Sequence, residues 1–153
     1  MIEIEFLNKA IKKVEDKLNS KSLNYVASVE IYAAPGYSGK SIEEIAKFVF
    51  GSTAKVGGSC QASAKEISDD LISGLSYGGD GGAYASREYV GTDEHLRDLE
   101  NVKSKLKPLL AKCNLYINFW LKEGHPFYPV FWDFAFILED GSDAYIAIGS
   151  SSD

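Results

Sequence analysis

Three segments near the end of the chain constrain the fold most, because they are rich in aromatic and β-branched residues and are separated by short turns. They are Leu115–Leu121, Val130–Leu138 and Ala144–Gly149. Such a composition is typical of β-strands. The link between the last two segments is the acidic turn EDGSD, which is too short for a crossover connection and predicts an antiparallel hairpin.

Periodic patterns predict one helix and one further strand in the first part of the chain. Hydrophobic residues recur at steps of three and four from Ile4 to Leu18, with charges between them, which predicts an amphipathic helix. Small and hydrophobic residues then alternate with other side chains from Tyr25 to Ala33, which predicts a strand. A Pro-Gly pair follows directly and ends that strand.

Capping signals predict three more helices. A serine followed three residues later by glutamate forms a capping box, and two such pairs precede helical segments over Ile42–Phe50 and about Ala64–Leu75. Thr92 can cap a third, longer helix with a possible bend at Pro108. The serine–glutamate pairs are Ser41 with Glu44 and Ser63 with Glu66, and the stripe of the long helix is Leu96, Leu99, Val102, Leu106, Leu109 or Leu110, and Cys113.

These elements fit one domain, since 153 residues can bury a sizeable core without division. The stretch 76–91 has five glycines and no clear period, so we interpret it as an exposed loop. The sequence therefore predicts a single α+β domain over residues 1–153. Its mostly antiparallel sheet should contain about four strands, with helices packed on one face.

Charge is unevenly distributed along the chain. The formal net charge is −6, and residues 66–100 hold nine acidic and two basic side chains. Because nucleic-acid binding requires clustered lysine and arginine, this distribution argues against a nucleic-acid partner. It favours a basic protein partner, or a solubilising surface, which is the commoner reason for acidity.

Hydropathy and cysteine usage indicate the compartment. The longest apolar run, Val130–Leu138, is interrupted by Asp133 and is too short for a membrane helix. The first residues carry acids among the hydrophobes, so no signal peptide is expected. Cys60 and Cys113 lack metal-ligand spacing, which favours two reduced thiols. We therefore expect a cytoplasmic protein without cofactor or metal.

Two glycine-containing loops are candidates for phosphate binding. The segment Ala34–Ser41 reads APGYSGKS, whereas a phosphate-binding loop needs G-x-x-x-x-G-K-[ST] after a strand of a parallel sheet. The first required glycine is Ala34, so we interpret the segment as a strand–turn–helix junction in which Ser41 caps the helix. The loop Tyr77–Tyr84 lacks GxGxxG spacing and is strongly acidic, which leaves a mobile binding loop or an ordinary surface loop.

Two histidines and one aspartate are candidates for chemistry. His95 lies in an acidic first helical turn, where we expect it to be solvated. His125 stands beside a strand and lacks any motif of a nucleophilic or metal site, which favours a hydrogen-bonded turn residue. Asp133 interrupts the hydrophobic run VFWDFAFIL, so it must face water or have a polar partner. A ligand-binding role for Asp133 is the alternative.

The tail HPFYPVFWDFAFILEDGSDAYIAIGSSSD resembles bacterial immunity proteins of contact-dependent and related toxin systems. The resemblance is carried by the aromatic strand and the GSSSD ending, over at most the last 30 residues. It implies a small, non-catalytic protein that inhibits a basic nuclease by covering its active site with acids and aromatic residues. It implies no particular binding residue.

The leading hypothesis is therefore a stoichiometric inhibitor of a toxin domain, with an interface in the acidic segment and tyrosines as anchors. The candidate interface residues are Glu66, Asp69, Asp70, Asp80, Tyr84, Glu88, Tyr89, Asp93 and Glu94. No catalytic, cofactor-binding or metal residue is predicted. One competing hypothesis is an enzyme or small-molecule binder with a pocket near His125, Tyr128 and Asp133. A third is an adaptor without a toxin partner.

Overall fold

The computed structural model describes residues 2–152 and contains four helices and seven strands in this range. In chain order they are α1 Ile2–Asn19, β1 Val26–Ala34, α2 Ile42–Phe50, β2 Lys55–Gln61, α3 Ala64–Ser76, β3 Gly79–Asp80, β4 Ala83–Tyr84, α4 Asp93–Lys112, β5 Leu115–Glu123, β6 Asp133–Glu139 and β7 Ala144–Ser152. Met1 and Asp153 lie outside the described residues, and Asp153 is the last residue of the GSSSD ending.

Five strands form the main sheet in the order β1-β7-β6-β5-β2, with every neighbouring pair antiparallel. β3 and β4 form a separate small hairpin. The predicted α+β class with an antiparallel sheet is confirmed, and so is the hairpin formed by β6 and β7. The sheet has one strand more than the expected four, because β2 (KVGGSCQ) has two glycines and no hydrophobic alternation to predict it.

Both faces of the sheet are covered, because alternate residues of a strand point to opposite sides. Phe136 of β6 packs against α1, α3 and α4 in one hydrophobic core. We call this side of the sheet the three-helix face. Ile137, the neighbour of Phe136, packs with Ile45 of α2 on the opposite face. The expectation of helices on one face is thus confirmed for three helices, whereas α2 lies on the other side. Each fully buried aliphatic or aromatic side chain contributes about 1.5–3 kcal/mol to stability.

The helix patterns are largely confirmed. In α1 the predicted stripe is buried, with Leu7, Val14 and Leu18 completely inaccessible. The predicted caps of α2, α3 and α4 are also present, because Ser41, Ser63 and Thr92 each accept a hydrogen bond from the backbone N–H three residues ahead. In α4 the stripe from Leu99 to Leu109 is buried and the helix continues through Pro108 to Lys112.

Helix α1 covers the outer edge of the sheet at β1. Asn19 bonds both peptide groups of Ala27, with N–O distances of 2.9 and 3.0 Å. Asn8 bonds both peptide groups of Ile31, each at 2.9 Å. Between them, Glu15 accepts the N–H of Val29. The unpaired edge of β1, which would otherwise invite pairing with another chain, is thereby satisfied by side chains.

The stretch 76–91 is more ordered than the expected exposed loop. Leu23 and Tyr84 exchange two backbone hydrogen bonds of 2.8 Å, and the N–H of Ser86 donates to the carbonyl of Leu18. Ala83, Ala85 and Ser86 are buried as a result. The hairpin β3–β4 is therefore fastened to the end of α1.

Within residues 2–152 no helix has the length and apolar character needed to cross a membrane.

Candidate functional site

The phosphate-loop-like segment is occupied by the protein's own carboxylates. The N–H of Gly39 and the hydroxyl of Ser38 donate to the buried Glu139, at 2.6 and 3.1 Å. The N–H of Gly36 donates to Asp143 at 2.8 Å. Ser41 caps α2 as expected, and the flanking strand β1 is antiparallel to its neighbour. The loop is a structural junction, in agreement with the prediction.

His95 is a structural residue, so the expectation of a solvated side chain is wrong. It is 2% exposed, and its Nδ1 accepts the N–H of Gly91 at 3.0 Å. Its Nε2 lies 2.9 Å from the carbonyl oxygen of Leu75, an arrangement that assigns the neutral ring with the proton on Nε2. The buried side of α4 therefore differs from the predicted stripe at its start: His95 is buried, whereas Leu96, which the pattern places in the stripe, is exposed.

His125 is a hydrogen-bonded turn residue, as predicted. Its Nδ1 accepts the N–H of Phe127 at 3.0 Å, and burial lowers the pKa of the imidazole. Tyr128 is 73% exposed. No hydrogen bond of the described residues joins His125, Tyr128 and Asp133 to one another. Asp133 itself is exposed, which is the first of the two expected solutions for its charge.

The acids of the predicted interface fall into separate groups. On α3, Glu66, Asp69 and Asp70 are exposed, and Asp69 is paired with Lys65 at 2.6 Å. In the hairpin loop, Asp80 and Tyr84 line a second depression together with Arg87. The guanidinium of Arg87 lies 3.7 Å from the centre of the Tyr84 ring, so this tyrosine already has a cationic partner.

The third group consists of Glu88, Asp93 and Glu94, and two of these three acids pair with lysines in or just after α1. Glu88 pairs with Lys21 at 2.8 Å, and Glu94 pairs with Lys17 at 2.7 Å. Asp93 is exposed in the first turn of α4, where a negative charge favours the helix N-terminus.

Tyr89 cannot serve as an anchor for a partner. Its side chain is 5% exposed, and its hydroxyl donates to Asp98 at 2.7 Å. Burial, followed by the contact with Asp98, raises the pKa of the phenol far above its usual range. Lys17 also bonds Asp98, at 2.9 Å, and lies over the Tyr89 ring. These residues form a structural network between α1 and α4.

One cavity combines acidic and aromatic side chains. It has a volume of about 190 Å³ and lies between α3 and the start of β6. We call it the aromatic–acidic cavity. Its lining residues are Asp70, Ser73, Gly74, Tyr77, Trp132, Asp133 and Phe134. It thus joins one aspartate from the predicted acidic segment with the aspartate that interrupts the aromatic strand.

The aromatic wall of this cavity is held in place by packing. The rings of Trp132 and Phe134 stack with an interplanar angle of 5° and centroids 6.0 Å apart. The indole N–H of Trp132 donates to the hydroxyl of Tyr25 at 2.9 Å. A Cβ at Gly74 would come within 2.9 Å of the Trp132 ring, so the close approach of α3 requires glycine here.

The electrostatics of the cavity favour a cation. Asp70 is exposed overall, but partial desolvation beside the cavity, followed by the charges of Glu66 and Asp69, raises the pKa of its carboxyl group. No cation among the described residues compensates its negative charge. Within residues 2–152 neither Asp70 nor Asp133 takes part in an ion pair, unlike Asp69, Glu88 and Glu94. Two carboxylates beside aromatic faces can bind an ammonium or guanidinium group by charge and by cation–π contact.

Sequence reasoning missed the aromatic half of this site. The signals were present, because Gly74 interrupts a helical pattern and Trp132 precedes the anomalous Asp133. Their meeting depends on how α3 packs on β6, which no local pattern encodes. No group of three or more histidine, cysteine, aspartate or glutamate residues in the described part of the chain could hold a metal ion.

Comparison with protein-family models, curated proteins and solved structures finds no match for this chain.

Proposed function

We propose that this chain is a non-catalytic immunity protein that binds a cognate, basic bacterial toxin domain of nuclease type and neutralises it. The observation that carries the proposal is the aromatic–acidic cavity, where Asp70 and Asp133 lack a cationic partner within the described residues and stand beside aromatic rings. A basic side chain of a partner would supply the missing charge. The net charge of −6 supports the same direction of recognition.

The size of the cavity favours a protein side chain over a metabolite. Small-molecule sites usually enclose about 300–1,000 Å³, whereas this cavity has about 190 Å³. One lysine or arginine side chain suits that space. A few residues carry most of the binding energy at protein interfaces, and tryptophan, tyrosine and arginine are common among them.

The remaining acids of the predicted interface have graded roles in this proposal. Glu66 and Asp80 are exposed and belong to no described ion pair, so they attract a basic partner from solution. Glu88 and Glu94 already hold lysines and contribute less. Tyr77 replaces the buried Tyr89 as the aromatic anchor, since it lines the cavity and is accessible.

The proposal places the chain in the bacterial cytoplasm, where thiols remain reduced. Cys60 and Cys113 are both free cysteines, in keeping with that compartment.

A growth-rescue experiment tests the function. We expect a large secreted protein that contains the toxin domain to be encoded next to this chain. Expression of that domain alone should arrest a bacterial host, and co-expression of this chain should restore growth through a one-to-one complex seen by light scattering. Continued arrest with both proteins present at equal levels would contradict the proposal.

A pair of matched variants tests the surface. Asp70→Asn with Asp133→Asn should weaken binding of the toxin domain about 10- to 100-fold and flatten its dependence on salt. The control is Asp16→Asn with Glu100→Gln, which removes two charges from exposed intrahelical pairs. Calorimetry at two salt concentrations separates the cases: equal affinity losses in both double variants would mean that net charge, and not the cavity, governs binding.

A further inference from the structure

The bonds between α1 and the edge of β1 follow one pattern with one exception. Asn19 and Asn8 each accept the N–H and donate to the C=O of one residue, Ala27 and Ile31 respectively. In an antiparallel strand, alternate residues present both peptide groups to the same side. Val29 lies midway between the two and also donates its N–H towards α1, to Glu15.

The exception is the carbonyl of Val29. An asparagine amide carries a donor and an acceptor, whereas an ionised carboxylate has acceptors only. Glu15 in its ionised form can therefore serve the N–H of Val29 but not its C=O. A protonated carboxyl group has one O–H donor and one free acceptor, which is the same pair of functions that Asn8 and Asn19 supply.

The surroundings of Glu15 favour the protonated form. Burial raises the pKa of Glu15 to about 7 from its ordinary 4.5, and Glu30 and Asp16 act in the same direction. The N–H of Val29 and the charge of Lys12 oppose this shift. The groups facing Glu15 are Lys12 and Asp16 on α1 and Glu30 on β1, with Glu5 and Lys9 of α1 lining the same groove.

We propose that Glu15 is a pH-responsive clasp between α1 and β1, whose protonated carboxyl group bonds the Val29 peptide in both directions, as the two asparagines do for their residues. Deprotonation removes the donor and leaves a partly buried negative charge beside Glu30. The hold of α1 on the sheet edge is then weaker in neutral and alkaline solution than in mildly acidic solution. This property is independent of the proposed function.

The sign of the pH dependence follows from linkage. Since the folded protein holds the proton more tightly than the unfolded chain, the contribution of Glu15 to stability is complete below its ordinary pKa of 4.5. It declines as pH rises, and above the folded pKa of about 7 it is lost. Carboxylates in salt bridges, whose pKa is lowered by folding, add stability as pH rises. The contribution of Glu15 is therefore measured by comparing variants at the same pH.

The decisive variant is Glu15→Gln, because its amide carries both functions at every pH. Its unfolding equilibrium should match that of the wild type at pH 4.5. At pH 8 the variant should be the more stable, with an unfolding equilibrium constant about 10- to 100-fold smaller than that of the wild type. Glu5→Gln is the matched control, since Glu5 lines the groove without bonding the strand, and it should show no such divergence.

Carbon-13 NMR of the wild-type protein provides a second, independent measurement. The carbonyl shift of Val29 should titrate together with the side-chain carboxyl of Glu15, with one midpoint between pH 6 and pH 8, about the folded value. The proposal is overturned if the Val29 carbonyl does not respond to pH, or if Glu15→Gln and wild type keep the same stability difference from pH 4.5 to pH 8.

Discussion

The two edges of the main sheet are finished in different ways. At β1, three side chains of α1 bond the outward peptide groups of Ala27, Val29 and Ile31. At β2 the structure, over residues 2–152, pairs no strand with the outer side, and most of the strand is exposed. One edge is sealed by hydrogen bonds from a helix, and the other is left accessible to solvent.

The open edge is protected by distortion and steric contact, with one added hydrogen bond from α2. The pairing of β2 with β5 shifts register twice, and such bulges twist an edge away from ideal pairing geometry. The indole of Trp120 lies against Gly57 and Gly58, where any Cβ would come within 2.6 Å of the ring. Glu43 also accepts the N–H of Val56 at 3.3 Å. A sheet edge can thus be protected either by satisfying its peptide groups or by distorting the strand.

The largest expected effect concerns thiol reactivity. Cys60 is exposed on β2, whereas Cys113 is buried at the end of α4, where burial raises the pKa of its thiol to about 11 from an ordinary 9.0. Because the thiolate is the reactive form, Cys60 should react with a soluble disulfide reagent at least about a hundredfold faster in the native protein. Equally slow reaction of the Cys60→Ser and Cys113→Ser proteins would mean that β2 is covered, and equally fast reaction would mean that Cys113 is accessible.

The next largest effect should come from breaking the sealed edge. Asn8→Ala combined with Asn19→Ala removes the partners of four peptide groups and should cost about 3–5 kcal/mol in the free energy of unfolding. Urea denaturation measures this. Asn101→Ala on the exposed side of α4 is the matched control and should cost less than about 0.5 kcal/mol. A loss below 1 kcal/mol in the double variant would show that water satisfies this edge equally well.

A smaller effect is expected from the steric guard of the open edge. In Gly58→Ala the new methyl group would meet the Trp120 ring at 2.2 Å, so the ring must move, at a cost of about 1–3 kcal/mol. Tryptophan fluorescence and urea denaturation report both changes. Gly81→Ala, with nothing within 4 Å, should be nearly neutral. If Gly58→Ala costs the same in a Trp120→Ala background, the contact with Trp120 is not its cause.

The smallest effect should follow a change on the open edge itself. Ser59→Lys adds a long charged side chain at an exposed position of β2, which solvent can accommodate. The free energy of unfolding should change by less than about 0.5 kcal/mol. A loss above 1 kcal/mol, measured by urea denaturation, would indicate that this edge is less open than the structure describes.

Local signals in the sequence predicted much of the fold. The capping box at Ser41, the N-cap at Ser63 and the stripe of α1 are present where expected, because they depend on neighbours within one helical turn. The return bond from Glu66 to the backbone N–H of Ser63 is not formed. The C-terminal hairpin was also predictable from composition and turn length. By contrast, β2 is a strand because β5 pairs with it and Trp120 packs on its glycines, which are contacts with a distant segment.

The candidate site was less predictable for the same reason. Tyr89 and His95 have polar, glycine-rich neighbours in sequence, yet α1 and α3 bury them. The sequence shows that the segment is rich in acidic residues. Which of them lie on α3, which in the hairpin loop and which pair with Lys17 and Lys21 depends on tertiary contacts. Asp133 stands out in the sequence as a charge within a hydrophobic run, but the residues across the cavity from it, including Asp70 and Gly74, come from α3.

The carboxylate of Glu139, which accepts hydrogen bonds from the loop Ala34–Ser41, would compete with any nucleotide phosphate for that loop. A free phosphate would have to displace the Glu139 carboxylate, which the folded chain holds against Gly39 and Ser38. An intramolecular group held in this way competes at a high effective concentration. The anion-binding groups of this loop are therefore already occupied by a carboxylate of the same chain.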